Sequence, residues 1–361
     1  MKNNRIKWID IAKGITILLV IYGHSMRDEM RTASPFLDYT YRCVYIFHMA
    51  FFFWLSGYSY QMGRTVFHKN YNLSFVRKKI QKQLLPWILY TSLIYIAFTI
   101  ATNNGNISSM LASAGYEKMP LSRYMMDAIQ ARNNWAYHLW FIYVLFIISI
   151  LVFAFEQIVH NKKILYKGLT VLCLVGLFLV KAFDLGSWER LTGYICLFIP
   201  YYLIGILQQG KENDLRFVSV WGCFGLAYIF LRALLWSGFS GDAIDTGMFW
   251  SDLLVWYLAY LLLPGCFLLM REVCLRIAKH PHIANPLAHI GRESFLIYLF
   301  HQPFCCAFVG TVLCNILNAP ILVTMVSCII LSIIIPYSVR IITARIRDIV
   351  YKRLRLQKDS S

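Results

Sequence analysis

Charged residues are scarce in this 361-residue chain, since Asp, Glu, Lys and Arg make up 15% of it, whereas 58% is apolar. A soluble domain of this size carries about 25% charged residues, so the composition excludes that class. Nor does a long soluble-looking block interrupt the apolar runs, which recur along the whole chain. We therefore predict an integral membrane protein with a single membrane domain over 1–361 and no appended soluble domain.

Several chemical signatures are missing as well. The ten cysteines are scattered through apolar runs without the paired spacing of metal ligands, so we interpret them as apolar packing residues. No His-x-x-x-His pair or Cys-His cluster is present, and we predict no metal site. No serine stands in a Gly-x-Ser-x-Gly elbow, the motif that presents a serine nucleophile. No internal repeat is visible, although inverted repeats are common in transporters.

Ten apolar runs are long enough to cross the hydrocarbon core, which takes about 20 residues in a helix. Lipid offers the backbone no hydrogen-bonding partners, so apart from a closed β-barrel only helices can cross it. The fold class predicted is an all-α polytopic membrane protein with about ten transmembrane helices. The ten ranges are 8–25, 41–61, 84–101, 138–158, 165–183, 191–208, 217–236, 250–270, 292–315 and 320–340.

The formal net charge of +17 would suit nucleic-acid binding in a soluble protein. In this layout, however, most of the 35 basic residues fall on alternate connections, including both termini. The positive-inside rule then predicts that both termini are cytoplasmic and that the partner is a lipid bilayer, with no nucleic acid. The expected location is the cell membrane, which is the inner membrane in a bacterium.

Residues 5–25, RIKWIDIAKGITILLVIYGHS, place ionisable groups inside an apolar run. Lys13 and His24 are eleven residues apart, about three helical turns, so they share one helix face ~16 Å apart, and Asp10 lies one turn before Lys13. A charged side chain in mid-membrane costs ~2.5 to 3.5 kcal/mol on insertion scales. We therefore expect this face to line a protein interior or a water-filled cavity.

Three more histidines lie in or beside apolar runs at related depths. His48 falls about two turns below the outer surface, His138 begins the fourth helix at that surface, and His301 lies near mid-membrane before Pro303. With His24 they are expected to converge on one cavity in the outer half. A neutral imidazole both takes and gives a proton near pH 7. The alternative for each histidine alone is a buried ring bonded to a backbone carbonyl.

Two connections on the predicted outer side stand out, residues 102–137 and 237–251. Their Asn, Asp and aromatic residues would suit hydrogen bonding and stacking against a sugar, and an ordinary solvated loop is the alternative interpretation.

Five strings in order between residues 5 and 303 resemble signatures of the acyltransferase family 3 membrane proteins, most closely the fucose 4-O-acetylase-like sugar O-acetyltransferases. The resemblance implies a ten-helix enzyme that moves an acyl group, usually acetyl, from cytoplasmic acyl-coenzyme A to a hydroxyl. It implies acetyl-CoA as co-substrate and a cell-surface or lipid-linked carbohydrate as acceptor. The strings are RIKWIDIAKGITILLVIYGHS, YIFHMAFFFWLSGYSY, FVRKKIQKQLLPW, HLWFIYVLF and GRESFLIYLFHQP.

The resemblance also carries over to single residues. His24 falls on the family's catalytic histidine, while His48 and His301 match histidines of two further signatures. Lys13 stands where much of the family has arginine, which keeps the charge but loses the planar fork that grips phosphate or carboxylate. Asp10 is its expected partner one turn away.

Acyl transfer to an alcohol needs a base for the hydroxyl proton, and we predict that His24 is that base, with His48 or His301 as alternatives. Direct transfer is favoured, and a transient acyl-histidine stays open. A cluster beside Pro86 and Trp87 is the candidate for the donor phosphates, although topology alone also demands basic residues there. The cluster comprises Arg77, Lys78, Lys79 and Lys82. A transporter or flippase is the alternative function, and a membrane sensor without catalysis is a third.

Overall fold

The computed structural model describes residues 2–68, 72–113, 117–132, 135–235 and 249–358. These residues form helices and no strand, in an all-α polytopic membrane protein, as predicted. The α-helices are α1 (Lys2–Ser25), α2 (Asp28–Ala33), α3 (Pro35–Thr65), α4 (Leu73–Lys79), α5 (Leu85–Thr102), α6 (Gly105–Ser113), α7 (Leu121–Ile129), α8 (Trp140–Ile158), α9 (Lys162–Ala182), α10 (Glu189–Gln208), α11 (Leu215–Leu235), α12 (Phe249–Ile277), α13 (Pro281–Phe300), α14 (Val309–Thr311) and α15 (Ile321–Lys358).

Each of the ten predicted spans coincides with a helix or a continuous helical segment. Among the described residues, eight segments are long and apolar enough to cross a membrane. The other two predicted spans, 8–25 and 41–61, lie in α1 and α3, where ionisable groups and several tyrosines lower the hydropathy. The count of ten spans and the cytoplasmic termini stay predictions. The eight are Leu73–Thr102, Tyr137–Ile158, Lys162–Ala182, Gly186–Gln208, Leu215–Leu235, Trp250–Ile277, Pro281–Cys314 and Ile321–Thr343.

Local sequence signals fix several helix starts. The Ser34 hydroxyl accepts a hydrogen bond from the Leu37 amide, with Pro35 at the first position of α3. The Asn161 side chain accepts from the Lys163 and Ile164 amides at the start of α9. These caps satisfy amides that have no partner within the helix.

The ninth predicted span is broken in its outer half. After α13 ends at Phe300, the backbone of Gln302 is extended (φ −127°, ψ 147°), and π-helical turns continue over His301–Phe308 and Val312–Ile316. Pro303, which cannot donate a backbone hydrogen bond, lies at this break. His301 itself keeps helical backbone angles (φ −59°, ψ −31°), so its side chain continues the course of α13 and the break follows it.

The predicted outer connection 102–137 is more ordered than a loop, because it contains the short helices α6 and α7. Tyr124 of α7 is fully buried and donates a hydrogen bond to the Thr91 carbonyl of α5 at 2.8 Å. Most of the second connection, 237–248, lies outside the described residues, so its predicted role stays a prediction.

Two helix crossings are close enough to require glycine. At the crossing of α1 with α13, a Cβ on Gly291 would lie 1.7 Å from the Asp10 carbonyl oxygen, and one on Gly14 would lie 2.1 Å from that of Leu287. At the crossing of α3 with α10, a Cβ on Gly57 would lie 1.9 Å from the Tyr202 carbonyl oxygen. Small residues let backbones pack this closely in membrane bundles. The first crossing packs α1 directly on α13, and the second packs α3 on α10.

We expect Gly291→Ala to destabilise the protein, because its methyl group would force α1 and α13 apart against packed backbone. Overpacking of this kind costs about 1–3 kcal/mol. Thermal unfolding in detergent should show a lower midpoint than in the parent. The matched control is Gly168→Ala in α9, where a Cβ would meet nothing within 4 Å. An unchanged midpoint in Gly291→Ala would contradict the crossing geometry.

Candidate active site

Four histidines from four helical segments meet at one end of the bundle, where α1 finishes and α3 and α8 begin. The ring centroids of His24 and His301 are 5.1 Å apart, and those of His301 and His138 are 5.6 Å apart. Tyr45 links the fourth histidine, His48, to this group. Its ring centroid lies 6.0 Å from that of His24 and 5.1 Å from that of His48. The structure thus brings together the four histidines that were expected to converge on one cavity.

The four rings differ in exposure. His48, His138 and His301 are buried, with 3%, 3% and 0% of their surfaces accessible, whereas His24 is only half-buried. A molecule that enters the cluster would therefore meet His24 first. Behind it stands His301, the ring nearest to it among these histidines.

Hydrogen bonds to backbone carbonyls indicate which nitrogen carries the proton in two of these rings. The Nδ1 atom of His301 lies 2.7 Å from the Tyr298 carbonyl oxygen, and that of His48 lies 2.6 Å from the Val44 carbonyl oxygen. A carbonyl oxygen only accepts, so the neutral rings carry the proton on Nδ1 and the lone pair on Nε2. Each ring is then held in one orientation with a proton-accepting nitrogen left over, as a relay or a base requires.

Tyrosines, which were not among the predicted site residues, surround the cluster. Tyr45 contacts His24 and His48, Tyr137 lies 6.4 Å from His24, and the Tyr298 hydroxyl donates to the His138 carbonyl. A signal for two of them was present, because Tyr45 and Tyr298 each precede a histidine of the cluster by three residues. On a helix that spacing places both side chains on one face.

Lys13 and Asp10 do not join the histidine cluster. They lie about three turns from His24 along α1, beside the glycine crossing with α13. Both are half-buried, and Asp10 interacts electrostatically with Lys13 and with Arg292 of α13. The two groups therefore form a separate charged layer toward the start of α1.

The predicted donor cluster separates into two parts. Arg77, Lys78 and Lys82 are exposed, as phosphate ligands at the membrane surface must be. Lys79 points inward instead, where its Nζ donates to the Ser149 hydroxyl of α8 at 3.0 Å and lies 5.5 Å from the Phe75 ring centroid. The helical repeat accounts for the difference, because Lys78 and Lys82 share a face that Lys79 leaves by about 100°.

A buried carboxylate that the sequence argument missed lies at the opposite end of the bundle. The Glu156 side chain of α8 is 1% exposed, receives a hydrogen bond from the Tyr60 hydroxyl at 2.6 Å and pairs with Arg64 at 2.5 Å. The Tyr166 hydroxyl donates to its other oxygen. This centre ties α3, α8 and α9 together, and an acid inside the apolar run FAFEQI was its signal.

Within the described part of the chain, no group of three or more His, Cys, Asp or Glu side chains has the arrangement of a metal site. The cysteines described there are all free thiols.

A comparison with protein families matches residues 6–340 to a family described as "Acyltransferase domain". A comparison with curated proteins finds "Nodulation protein NolL" of Mesorhizobium japonicum, 33% identical over 95 residues. That match covers 26% of this chain and 25% of the relative, so it spans about a quarter of the relative's length. A comparison with solved structures finds no match.

Proposed function

Since this chain belongs to acyltransferase family 3, we propose that it is a membrane O-acyltransferase that acylates a carbohydrate hydroxyl. The donor proposed is acyl-coenzyme A from the cytoplasm, with acetyl as the acyl group, and the acceptor is a cell-surface or lipid-linked glycan. The proposed location is the cytoplasmic membrane. The observation that carries this proposal is the half-buried His24 in contact with a buried His301 of assigned protonation.

In the proposed mechanism, His24 accepts the proton of the acceptor hydroxyl. The hydroxyl oxygen forms a bond to the acyl carbon, the carbon–sulfur bond breaks, and the proton goes to the departing thiolate. His301 supports His24, because its Nε2 lone pair can accept a hydrogen bond from a protonated neighbour. General base catalysis contributes ~10² to 10⁴ in rate, and burial of the other three rings keeps bulk water out.

Direct transfer is the simplest chemistry for this site. A thioester carbon is already electrophilic, so no metal is required to activate it. An acyl-histidine intermediate on His24 is the alternative, and it would appear as acyl-CoA hydrolysis or exchange when acceptor is absent.

We expect donor binding to depend on the exposed cations at the end of α4 and just after it. The double variant Lys78→Glu/Lys82→Glu should raise the KM for acetyl-CoA at least ~10-fold, because it places two anions where we propose that phosphates bind. Steady-state kinetics in detergent or proteoliposomes would measure the change. Lys79→Met should alter KM less, since Lys79 is turned inward.

The matched control is Lys162→Glu/Lys163→Glu, which reverses two exposed charges on another predicted cytoplasmic connection. Equal effects of the two double variants would mean that the cations near α4 serve topology and not donor binding.

The function itself is tested with purified protein, acetyl-CoA and a panel of glycans. Release of the coenzyme A thiol that depends on an acceptor supports the enzyme. Transport of a labelled glycan across proteoliposomes without thiol release would instead support the transporter or flippase. Deleting the gene and finding which surface glycan loses its ester would identify the acceptor.

A further inference from the structure

A polar cleft of about 500 Å³ opens at the same end of the bundle as the histidines, and the mechanism above does not use it. Its walls come from α7 and the residues just after it, from α9, α10 and the turn between them, and from α12. The cleft is wide enough for a sugar, since ligand sites commonly measure 300–1,000 Å³. Its charged and aromatic lining includes Arg123, Asp127, Arg132, Arg190, Tyr194 and Trp256.

The walls are tied to one another. Gln130, just after α7, is 4% exposed and donates a hydrogen bond to the Ser187 hydroxyl in the turn before α10. Lys181 of α9 pairs at 2.8 Å with Asp252 of α12, whose side chain is fully buried. Buried pairs of this kind hold elements in register, because a separated partner would leave a buried charge. The cleft is thus a fixed feature of the fold.

The cleft carries an excess of positive charge. Arg123 and Arg132 share one carboxylate, since Asp127 lies 3.9 Å from the first and 3.6 Å from the second. Lys181 is already matched by Asp252, and the charges of Arg190 and Glu189 in the lining cancel, so the excess comes from Arg123 and Arg132. Arginine pairs with carboxylate or phosphate through two parallel hydrogen bonds. Aromatic rings beside such cations suit a sugar that carries an anionic group.

A chain of neighbouring residues leads from the cleft to the histidine cluster. Leu197 and Trp256 line both the cleft and a small cavity of about 50 Å³ further inside. Tyr45 lines that cavity and contacts both His24 and His48, and the buried Arg232 is a further cation on its wall. A second contact also leads toward the cluster. The Tyr194 ring of the cleft stacks on the Trp140 ring with centroids 4.1 Å apart, and Trp140 follows His138 by two residues.

We propose that this cleft is a subsite for an anionic carbohydrate acceptor. A phosphate or carboxylate on the glycan binds the arginines, and a hydroxyl on a neighbouring part of the glycan reaches His24. This inference rests on the proposed function for the identity of the reaction, but anion binding in the cleft does not depend on turnover.

The proposal is tested by measuring how three sugars bind to the purified protein in detergent. Saturation-transfer NMR titration gives the affinity of each. Glucuronic acid and glucose 1-phosphate supply a carboxylate and a phosphate, and glucose is the neutral comparison. We expect the preferred anionic sugar to bind at least ~10-fold more tightly than glucose, with a preference that shrinks as salt is added. Arg123→Gln/Arg132→Gln should weaken its binding at least ~10-fold, whereas Asp127→Asn should not weaken it.

The two arginine side chains are 73% and 51% exposed, so their replacement should leave the fold intact. Arg216→Gln, an exposed arginine at the start of α11, is the matched control and should not change binding. Preference for glucose 1-phosphate alone indicates a phosphate-bearing acceptor, and preference for glucuronic acid alone indicates an acidic sugar. Equal binding of glucose, or an anionic preference that survives in the double variant, overturns the proposal.

His24→Ala separates this inference from the proposed function. That variant should keep the anionic preference while losing transfer. If wild-type protein shows no transfer to any glycan but the arginine-dependent preference is present, the subsite stands and the proposed reaction falls. If transfer is present and the preference is absent, the proposed reaction stands and the subsite falls.

Discussion

His24→Ala should lose at least ~100-fold in turnover while it keeps donor binding and the fold. A general base contributes ~10² to 10⁴ in rate, and His24 is the histidine of the cluster that an entering acceptor would meet first. Acetyl transfer to a glycan, followed against pH, measures the effect. His24→Asn keeps much of the shape but supplies no base, so it should fail almost as badly.

The comparison that decides the base is among three single variants. His48→Ala and His301→Ala remove buried rings that lie further from the entrance than His24, so they should reduce turnover less than His24→Ala. Each variant is checked for membrane insertion, thermal unfolding and acetyl-CoA binding. Near-normal turnover in His24→Ala, together with loss of turnover in His301→Ala or His48→Ala, would assign the base to another ring.

A double variant tests whether His301 acts through His24. Two groups that form one catalytic unit give strongly non-additive losses. His24→Ala/His301→Ala should therefore be little worse than His24→Ala alone. A loss equal to the product of the two single losses would mean that the rings act independently.

The helices were predictable because lipid leaves the backbone few alternatives. Each predicted span coincides with a helix or a continuous helical segment, the ninth with a break at Gln302, and the histidines meet as expected. Depth follows from counting residues at 1.5 Å each, which needs no knowledge of neighbours. His24, His48, His138 and His301 could thus be grouped from sequence alone.

The parts that sequence did not predict depend on which helices are neighbours. Lys79 turns toward Ser149 of α8, and Glu156 gathers Tyr60 and Tyr166 from two other helices. The cleft is built from three segments far apart in the chain. Hydropathy gives the order and depth of spans but not their lateral arrangement, which glycine crossings and side-chain pairs decide. The ordered helices α6 and α7 also depended on tertiary contacts, such as that of Tyr124 with Thr91.

Lys13→Met should reduce turnover at least ~10-fold, and Lys13→Arg should restore most of it because the charge survives. At ~16 Å from His24 and an effective dielectric constant of ~20, a unit charge contributes only about 1 kcal/mol, or roughly fivefold in rate. We expect a larger loss because Lys13 lies inward of His24 on α1, toward the side from which we propose that the acyl donor arrives. Turnover and KM for acetyl-CoA, measured separately, give the size of the effect and the step affected.

The magnitude distinguishes two roles for Lys13. A loss near fivefold with KM unchanged fits a field that acts at a distance, whereas a larger loss with a raised KM fits contact with the donor. Lys163→Met, which removes an exposed charge from the first turn of α9, is the matched control and should be neutral. Asp10→Asn leaves Lys13 with one fewer neighbouring anion and should alter turnover less than Lys13→Met, since Arg292 also balances Asp10. Full activity in Lys13→Met, with normal insertion and unfolding, would remove this lysine from the mechanism and leave the charged layer of α1 a structural role at the crossing with α13.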